Sequence, residues 1–344
     1  MMLFLLEFLV SAADLELDIK YGSVFISGVE DDEYLNLKYN NLDIQILKTD
    51  DILIKGSSPN NFINISVTDR INSISLILES FTISNEDSAL FILGECTVNI
   101  SIGDNITISS LKSHPIFVSN NSELHLESQN KQRQLNIIGG PNCSLIGGNG
   151  NIYLKNLSFD LQQENFLQAG FQGQIINLNS CSINLSTYEQ AIGSSQTSLI
   201  VINSSYLYLS SQNSSCIGSE NSDLKISIES STVIAVTSSN NSPCIGNNRS
   251  GPLSSIDIKK SSIKSSINSD DSTFSVIGSS SFIQIHSSSL ELEATKGSAI
   301  GGGFDNGLYT TIEIFNSAVA AFSNGDSATI GGGSETEMKV KIII

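Results

Sequence analysis

The chain has 344 residues, and its 17 Lys and Arg against 35 Asp and Glu give a formal net charge of −18 at pH 7. So strong a negative charge argues against nucleic acid and anionic membrane surfaces as partners, and it leaves cationic partners open. Hydrophobic residues make up 40% of the chain, which is enough for a buried core.

Residues 1–13 predict a secretory signal peptide cut near Ala13, before Asp14, because a short apolar core is followed by small residues. Two features weaken that prediction: no Lys or Arg precedes the core, and Glu7 interrupts it. A first buried strand, or a wrongly assigned start, therefore stays open as the alternative. With the signal, we expect the protein to be extracellular or on the cell surface. No later segment approaches the ~20 apolar residues that span a bilayer, so we expect no membrane span within this chain.

Residues 14–51 are acidic and less regular than the rest, with strand-like runs around Val24 and Leu35. The end of a stacked repeat has to be covered or guarded by charge. We therefore expect this stretch to cap the first coil of a repeat body that covers residues 52–344. Coil-like spacing begins at Ile52 in a looser form.

Residues 124–133 break the coil-like spacing and carry a basic cluster, Lys131 and Arg133. We interpret this segment as a loop that leaves the body. Residues 141–150 then combine Pro, Asn and Gly in the way that turns do, which marks the start of a more regular array.

That array is a repeat with a period of about 24 to 30 residues, which begins at Ile152 and continues to Gly333. Each unit holds two apolar-x-apolar pairs, and most units continue with a small residue followed by Ile-Gly. The first pairs are Ile152/Leu154, Ile176/Leu178, Ile200/Ile202, Ile226/Ile228, Ile256/Ile258, Ile283/Ile285 and Ile312/Ile314. The second pairs are Phe159/Leu161, Ile183/Leu185, Leu207/Leu209, Val233/Ala235, Ile263/Ser265, Leu290/Leu292 and Val319/Ala321. The third elements begin at Ala191, Cys216, Cys244, Val276, Ala299 and Thr329.

Apolar and polar residues alternate within each element, which is the period of a β-strand and not of a helix. Strands this short gain stability only by stacking in parallel, coil on coil, about 4.8 Å apart. Three apolar clusters in each coil predict three sheets. The sequence therefore predicts an all-β protein, a right-handed parallel β-helix with the handedness that parallel crossovers obey.

Two kinds of small residue mark the corners of the coils. Ser205, Ser231, Ser261, Ser288 and Ser317 stand five residues after each first anchor, and Cys181 takes this place one coil earlier. We expect each hydroxyl to bond a backbone N–H or the hydroxyl one coil away. The glycines after each Ile close the other corner. Where three glycines run together, at residues 301–303 and 331–333, we expect positive φ or a close approach of two backbones.

This architecture resembles the right-handed β-helices of the pectin-lyase-like superfamily, and residues 299–303 are similar to the Ala-Ile-Gly-Gly-Gly repeats of large surface proteins of bacteria and parasitic protists. The enzymes of that superfamily act on acidic polysaccharides with clustered aspartates and a nearby His, Arg or Lys. This chain departs from their patterns, since its three histidines, His114, His125 and His286, stand in no Gly-His-Gly motif and its Asp-Asp pairs lie at unrelated phases of the repeat.

Two sets of carboxylates meet the spacing that a glycosidase needs, roughly 5 to 9.5 Å. Glu291 and Glu293 are two residues apart on one strand, and Asp257 and Glu313 bracket a Gln at the same phase of adjacent coils. Exposed carboxylates on strands are common, so we interpret both sets as solvated surface and predict no catalytic residue. Residues 301–307 resemble one turn of a calcium-binding repeat, but no second turn follows, so we predict no metal or cofactor.

The five cysteines show no CxxC spacing. Cys216 and Cys244 share one phase in consecutive coils, within disulfide reach, but their side chains would be parallel, so buried thiols are favoured and a disulfide stays open. Tyr206 and Tyr208, with Tyr188, form the only local aromatic concentration, which we interpret as surface or edge packing. Eleven Asn-x-Ser/Thr sequons exceed chance only slightly and indicate a glycoprotein weakly.

We therefore expect a non-enzymatic, secreted or cell-surface β-helix that acts as a scaffold, stalk or adhesin. A carbohydrate-active β-helix and an intracellular structural repeat protein stay open as alternatives. Val340 and Ile342 form a further anchor pair one repeat length after Ile312 and Ile314, and no cap follows them. We expect self-association or partner docking at this C-terminal edge, and a glycan or a surface protein as partner.

Overall fold

A computed structural model describes residues 15–29, 33–49, 51–129, 133–140, 142–161, 168–221, 223–247, 254–270, 272–278, 280–301, 310–325, 327–331 and 340–343. The side chains of residues 29, 69–72, 161 and 340–343 are not part of this description. The structure is 63% β-strand and 1% helix by residue, and its parallel strands stack into a β-solenoid with about 9 turns. The predicted all-β solenoid fold is confirmed. The chain divides into two compact units: unit 1 holds residues 1–140 and 145–157, and unit 2 holds residues 141–144 and 158–344.

In the described part of unit 1, one short 3-10 helix, Ile19–Tyr21, lies among strands of very unequal length. The strands are β1 (Glu16–Asp18), β2 (Val24–Val29), β3 (Tyr34–Tyr39), β4 (Leu42–Leu47), β5 (Asp51–Ser58), β6 (Ile63–Asn85), β7 (Leu90–Ile102), β8 (Ile106–Ser110), β9 (Ile116–Val118), β10 (Glu123–Ser128), β11 (Arg133–Ile138), β12 (Ser144–Gly148) and β13 (Asn151–Lys155).

The first strands of unit 1 include an antiparallel meander, since β3 pairs with both β2 and β4 in antiparallel register. Strand β2 also pairs with β6, and β1 with β5, in parallel. The buried side chains of Leu35 and Leu37 anchor β3, and Asn40 takes a positive φ of 54° in the turn to β4, which Asn tolerates. The meander lies in the stretch for which the sequence predicts a cap. That capping role stays a prediction, as do the boundaries of the signal peptide and of the repeat body.

The prediction that residues 124–133 leave the body as a loop is wrong for its first half. Strand β10 pairs in parallel with β7 and with β13, and Leu124 and Leu126 are fully buried. These two leucines are an apolar-x-apolar pair like the others, and the polar run after them hid the match. Arg133 begins β11, and Lys131 lies outside the described residues.

Unit 2 contains three parallel sheets. The first sheet is built from β16 (Ile175–Asn179), β18 (Leu199–Asn203), β21 (Lys225–Glu229), β24 (Ser255–Lys259), β27 (Phe282–His286), β30 (Thr310–Phe315) and β33 (Val340–Ile343). The second is built from β14 (Leu157–Leu161), β17 (Ser182–Thr187), β19 (Tyr206–Ser211), β22 (Thr232–Thr237), β25 (Ser262–Ile267), β28 (Ser289–Ala294) and β31 (Ala318–Ser323). The third is built from β20 (Ile217–Ser219), β23 (Ile245–Asn247), β26 (Ile277–Gly278), β29 (Ile300–Gly301) and β32 (Ile330–Gly331), and isolated bridges link Phe171 of β15 (Ala169–Phe171) to it through Ile192.

Columns of identical or similar residues fill the interior of unit 2. Ile226 pairs in register with Ile200 before it and Ile256 after it, and Ile228 does the same with Ile202 and Ile258. All of these side chains are almost completely buried, which confirms the predicted first anchor pairs. Burial of one such side chain stabilises the fold by about 1.5 to 3 kcal/mol, so every coil adds to the stability of the body.

A chain of hydrogen bonds follows the corner serines from coil to coil. The backbone N–H of Ser205 donates to Ser231 Oγ at 3.1 Å, that of Ser231 donates to Ser261 Oγ at 3.2 Å, and that of Ser261 donates to Ser288 Oγ at 3.2 Å. Each hydroxyl in turn donates to the carbonyl two residues earlier, as Ser231 Oγ does to Glu229 at 2.7 Å. The predicted bond to a backbone N–H is confirmed, and it satisfies buried groups at a bend where the ladder cannot.

The backbone conformation that aims these serines inward was not foreseen from the sequence. The residue before each corner serine has a positive φ, between 48° and 50° at Ser204, Ser230, Lys260, Ser287 and Asn316. Such a conformation is uncommon for residues other than glycine. It recurs in successive coils because the same bend has to be made in each of them.

Glycine is required at the third sheet for a steric reason. A Cβ on Gly246 would lie 1.9 Å from the carbonyl oxygen of Gly278, and one on Gly218 would lie 2.1 Å from that of Gly246. Gly246 also has a φ of +140°, which side chains rarely allow. The prediction of positive φ or close approach concerned the glycine runs, and it is confirmed at the first residue of each: a Cβ on Gly301 would lie 1.8 Å from the carbonyl oxygen of Gly331, and Gly331 has a φ of +147°.

The last described strand, β33, differs in register from the prediction. Val340 pairs with Thr310 and Ile342 with Ile312, two residues away from the predicted match. Since alternate residues share a face, a shift of two keeps each residue on its predicted side of the sheet. Their side chains lie outside the described part of the structure, so docking at this edge stays a prediction.

Candidate functional site

Exposed aromatic side chains of unit 2 gather on the second sheet. Tyr206 and Tyr208 on β19 are 50% and 44% exposed, and Phe322 on β31 is 61% exposed. Tyr188, 45% exposed, lies in the bend that directly follows β17. Phe322 lies four strand steps, about 19 Å, from the tyrosines, so the two share one face of the sheet at separate places along it.

Strand geometry explains why these residues point outward. On β19 the buried leucines Leu207 and Leu209 alternate with Tyr206 and Tyr208, so the tyrosines are on the outer side. We call the outward side chains of β19, β22, β25, β28 and β31 the second-sheet face. Parallel in-register pairing arranges them in columns that run from coil to coil, about 4.8 Å per step.

A groove of about 330 Å³ lies on this face, a volume at the lower end of the range for ligand sites. One column across it runs from Val236 through Ser266 and Glu293 to Phe322. Ser266 is the smallest side chain of the four, so it forms the low floor between Val236 and Phe322. The groove is lined by Ile234, Ala235, Val236, Lys264, Ser265, Ser266, Glu291, Leu292, Glu293, Phe322 and Asn324.

The charges of the groove are unevenly paired. Lys264 Nζ lies 2.7 Å from Glu291 Oε1, and both side chains are exposed, at 62% and 61%. Glu293 is also exposed, and it makes no hydrogen bond or ion pair with any residue that the structure describes. The groove therefore carries one uncompensated negative charge, at Glu293.

The carboxylate pair that the sequence singled out, Glu291 and Glu293, lies in this groove. Both side chains point outward from β28, as the alternation predicts. Glu291 is held by Lys264, however, so only Glu293 is free to act on a ligand. One free carboxylate can bind a cation or accept hydrogen bonds, whereas glycoside hydrolysis needs two with separate roles.

The second set of carboxylates is on the first sheet, where Asp257, Gln284 and Glu313 pair in register as predicted. Lys259 forms an ion pair with Asp257, and Gln284 Nε2 donates to Glu313 Oε2 at 2.8 Å. Both carboxylates are thus engaged by neighbours on the sheet. The arrangement supports the interpretation of this row as surface.

Unit 1 has a polar cluster that no pattern in the sequence predicts. The rings of His125 and Tyr153 stack with centroids 4.3 Å apart, and Glu123 Oε2 lies 3.5 Å from His125 Nε2. Asn151 Nδ2 donates to Glu123 Oε1 at 3.0 Å, and burial together with the charge of Glu123 raises the pKa of Tyr153. These contacts connect β10 and β13, although His125 Nε2 and Asn151 Oδ1 make no hydrogen bond with any described residue.

The cysteines are free thiols and all five are buried. Burial and a hydrogen bond to Cys244 raise the pKa of the Cys216 thiol, which keeps it protonated and unreactive near neutral pH. Within the described ranges no group of three or more His, Cys, Asp or Glu side chains could hold a metal ion. The calcium-like segment, residues 301–307, lies outside those ranges except for Gly301.

Two residues of the groove, Lys264 and Phe322, were missed from the sequence. Aligning the outward positions of successive coils would have revealed them, because Lys264 has the same position in its coil as Glu291, and Phe322 has the same position as Glu293.

In the part of the chain that the structure describes, no helix is long and apolar enough to cross a membrane. Comparisons with protein-family models, curated proteins and solved structures found no match.

Proposed function

We propose that this protein is a non-enzymatic β-helix that serves as a secreted or cell-surface scaffold, stalk or adhesin and binds its partner through the second-sheet face. The observation that carries the proposal is that Tyr206, Tyr208 and Phe322 are exposed on the same outer face of a regular solenoid. Tyrosine and other aromatic side chains are enriched in binding interfaces because they bury a large area at a small entropy cost.

The interior supports a scaffold role. The isoleucine columns, the corner serines and the glycines repeat from coil to coil through unit 2, so the repeated contacts lie inside the body and at its corners. In such a solenoid the outer side chains are free to vary for binding. A stiff body with a variable face suits a stalk or an adhesin.

The experiment coats beads with the whole protein and measures their attachment to arrayed glycans and extracellular-matrix proteins. Beads with the wild-type protein attach to at least one surface, and the double variant Tyr206→Ser with Tyr208→Ser attaches at least about fivefold less. Tyr21→Ser removes a tyrosine of unit 1 that is even more exposed, at 62%, and leaves attachment unchanged. Attachment to no surface, or equal attachment by all three proteins, contradicts the proposal.

A carbohydrate-active role is the second candidate, and the position of Glu291 and Glu293 in a groove favours it. Incubation with polygalacturonate and related acidic glycans, followed by a reducing-sugar assay, separates the two. We expect no turnover. Turnover that Glu291→Gln abolishes establishes the enzyme instead.

Export is part of the proposal and has its own test. Expression of the full chain in a secreting eukaryotic cell, followed by N-terminal sequencing, gives a mature protein that begins near Asp14. A protein that stays inside the cell with Met1 retained supports the intracellular structural alternative.

A further inference from the structure

We infer that the groove of the second-sheet face is a site for an arginine side chain of a partner protein, with Glu293 as the counter-ion and Phe322 as the surface on which the guanidinium stacks. This inference rests on the proposed function, because it names the partner chemistry of the same face. Three observations carry it: the shape of the groove, its charge and its walls.

The shape suits one extended side chain. Val236 and Phe322 stand at the two ends of a column of four in-register residues, and three steps of about 4.8 Å separate their backbones by about 14 Å. Ser266, the second residue of this column, is small and leaves the space above it open. The Lys264–Glu291 ion pair forms one side wall of the groove. The result is a narrow slot that runs along the column.

The charge selects a cation. Glu293 has no partner among the described residues, whereas Glu291 is neutralised by Lys264 at 2.7 Å. Both oxygens of Glu293 are therefore available for two parallel hydrogen bonds from a guanidinium, the geometry that makes arginine–carboxylate pairs strong. The net charge of −18 on the whole chain further raises the local concentration of cationic partners.

The walls select arginine among cations. Phe322 pairs in register with Glu293 and is 61% exposed, so its ring lies next to the carboxylate. A planar guanidinium stacks on an aromatic ring while it bonds a carboxylate, which the compact ammonium of lysine does less well. Ile234 and Val236 at the other end offer apolar contact to the methylene stem.

A neutral sugar fits the groove less well. Sugar sites combine a flat aromatic platform with several hydrogen-bonding groups, but the charged groups here are an ion pair already satisfied and one lone carboxylate. A sugar hydroxyl at Glu293 would leave the negative charge uncompensated. The test therefore has to distinguish binding of an arginine side chain from binding of a neutral disaccharide.

The test titrates the full chain with two peptides, acetyl-Gly-Arg-Gly-amide and the same peptide with citrulline, which keeps the shape and removes the charge. Binding is followed by saturation-transfer NMR at low salt. The arginine peptide binds with a dissociation constant of about 1 mM, the affinity of a single small site, and the citrulline peptide binds at least about tenfold more weakly.

The variants place the site. Glu293→Gln and Phe322→Leu each weaken arginine binding at least about fivefold, the latter because it keeps an apolar side chain and removes the ring. The matched control is Glu220→Gln, which removes the same charge from an exposed bend after β20 and changes binding less than about twofold. The three side chains are exposed, so unchanged thermal unfolding verifies that every variant is folded.

Three results overturn the inference: equal binding of the arginine and citrulline peptides, equal loss in Glu293→Gln and Glu220→Gln, or a neutral disaccharide such as cellobiose that competes for the groove. Its failure is distinct from failure of the proposed function. If bead attachment depends on Tyr206 and Tyr208 while the arginine peptide does not bind, the adhesin role stands and the partner chemistry is wrong. If the arginine peptide binds but the beads attach to no surface, the arginine site stands and the adhesin role is wrong.

Discussion

Ser227 and Ile228 are neighbours on β21, but Ile228 belongs to the interior of the solenoid and Ser227 to its outer surface. Ile228 lies in an interior column that continues through Ile202 and Ile258, whereas Ser227 lies in an outer column with Val201 and Asp257. The inner column repeats one residue type and the outer column repeats none. The interior thus specifies the fold, and the outer faces are left free for function.

The substitution of aspartate at the two positions gives the largest expected contrast. Ile228→Asp places a carboxylate without a partner in a dry column and costs more than about 4 kcal/mol of unfolding free energy, enough to prevent folding. Ser227→Asp points outward and costs less than about 1 kcal/mol, because the only penalty is repulsion from the in-register carboxylate of Asp257. Expression and urea unfolding measure both. Equal losses would mean that the strand register is wrong, and Ile228→Ala, at about 2 to 5 kcal/mol, keeps the comparison measurable if the aspartate variant does not fold.

The glycines of the third sheet test the interior in a second way. Gly246→Ala puts a methyl group 1.9 Å from the carbonyl oxygen of Gly278 at a residue with a φ of +140°, so adjacent coils have to separate. We expect a loss of about 2 to 4 kcal/mol in unfolding free energy. Ser238→Ala, on an exposed side chain of the same coil, is the control and costs less than about 0.5 kcal/mol. A loss below about 1 kcal/mol for Gly246→Ala would show that the coils are farther apart than the structure has them.

The corner serines give a smaller effect. Ser231→Ala removes the acceptor of the Ser205 N–H, which donates at 3.1 Å, and leaves this buried group without a partner. The expected cost in urea unfolding is about 1 to 3 kcal/mol. Ser227→Ala, on the outward side of the preceding strand β21, is matched in chemistry and changes the unfolding free energy by less than about 0.5 kcal/mol. If the two alanine variants unfold alike, the hydrogen-bonded serine column contributes nothing.

The smallest effect is on the second-sheet face. Glu291→Gln breaks the ion pair with Lys264, but both side chains are exposed, so solvent and salt screen the interaction. We expect a change of less than about 1 kcal/mol at low salt, which vanishes at about 1 M NaCl. Urea unfolding at the two salt concentrations measures it. A larger or salt-independent loss would place this face among the regions that specify the fold.

Much of the fold could be predicted from the sequence because a solenoid repeats the same residue pattern in each coil. The apolar-x-apolar pairs, the serine at one corner and the glycine at the other recur at one phase in successive coils, so each copy supports the interpretation of the others. The prediction was wrong at Leu124 and Leu126, where a polar run concealed a pair that is fully buried. It was also two residues off at Val340, where the alternation by itself allows either register.

The candidate site was only half visible in the sequence. Glu291 and Glu293 stand out because they are two residues apart on one strand, and Tyr206 and Tyr208 stand out for the same reason. Phe322 is a whole coil away from Glu293 along the chain, and it resembles any other exposed residue until the register brings them side by side. Sites formed across coils depend on this register, which a single repeat unit does not reveal.

The sequence by itself determined which side chains face inward, because strand period and burial act within each repeat unit. The tertiary structure decided which outward side chains become neighbours and how the backbone turns before each corner serine. It also decided that β2, β3 and β4 pair in antiparallel fashion where the repeat is weak. The physical reason is that these features arise from contacts between residues far apart in the chain, and no local pattern encodes them.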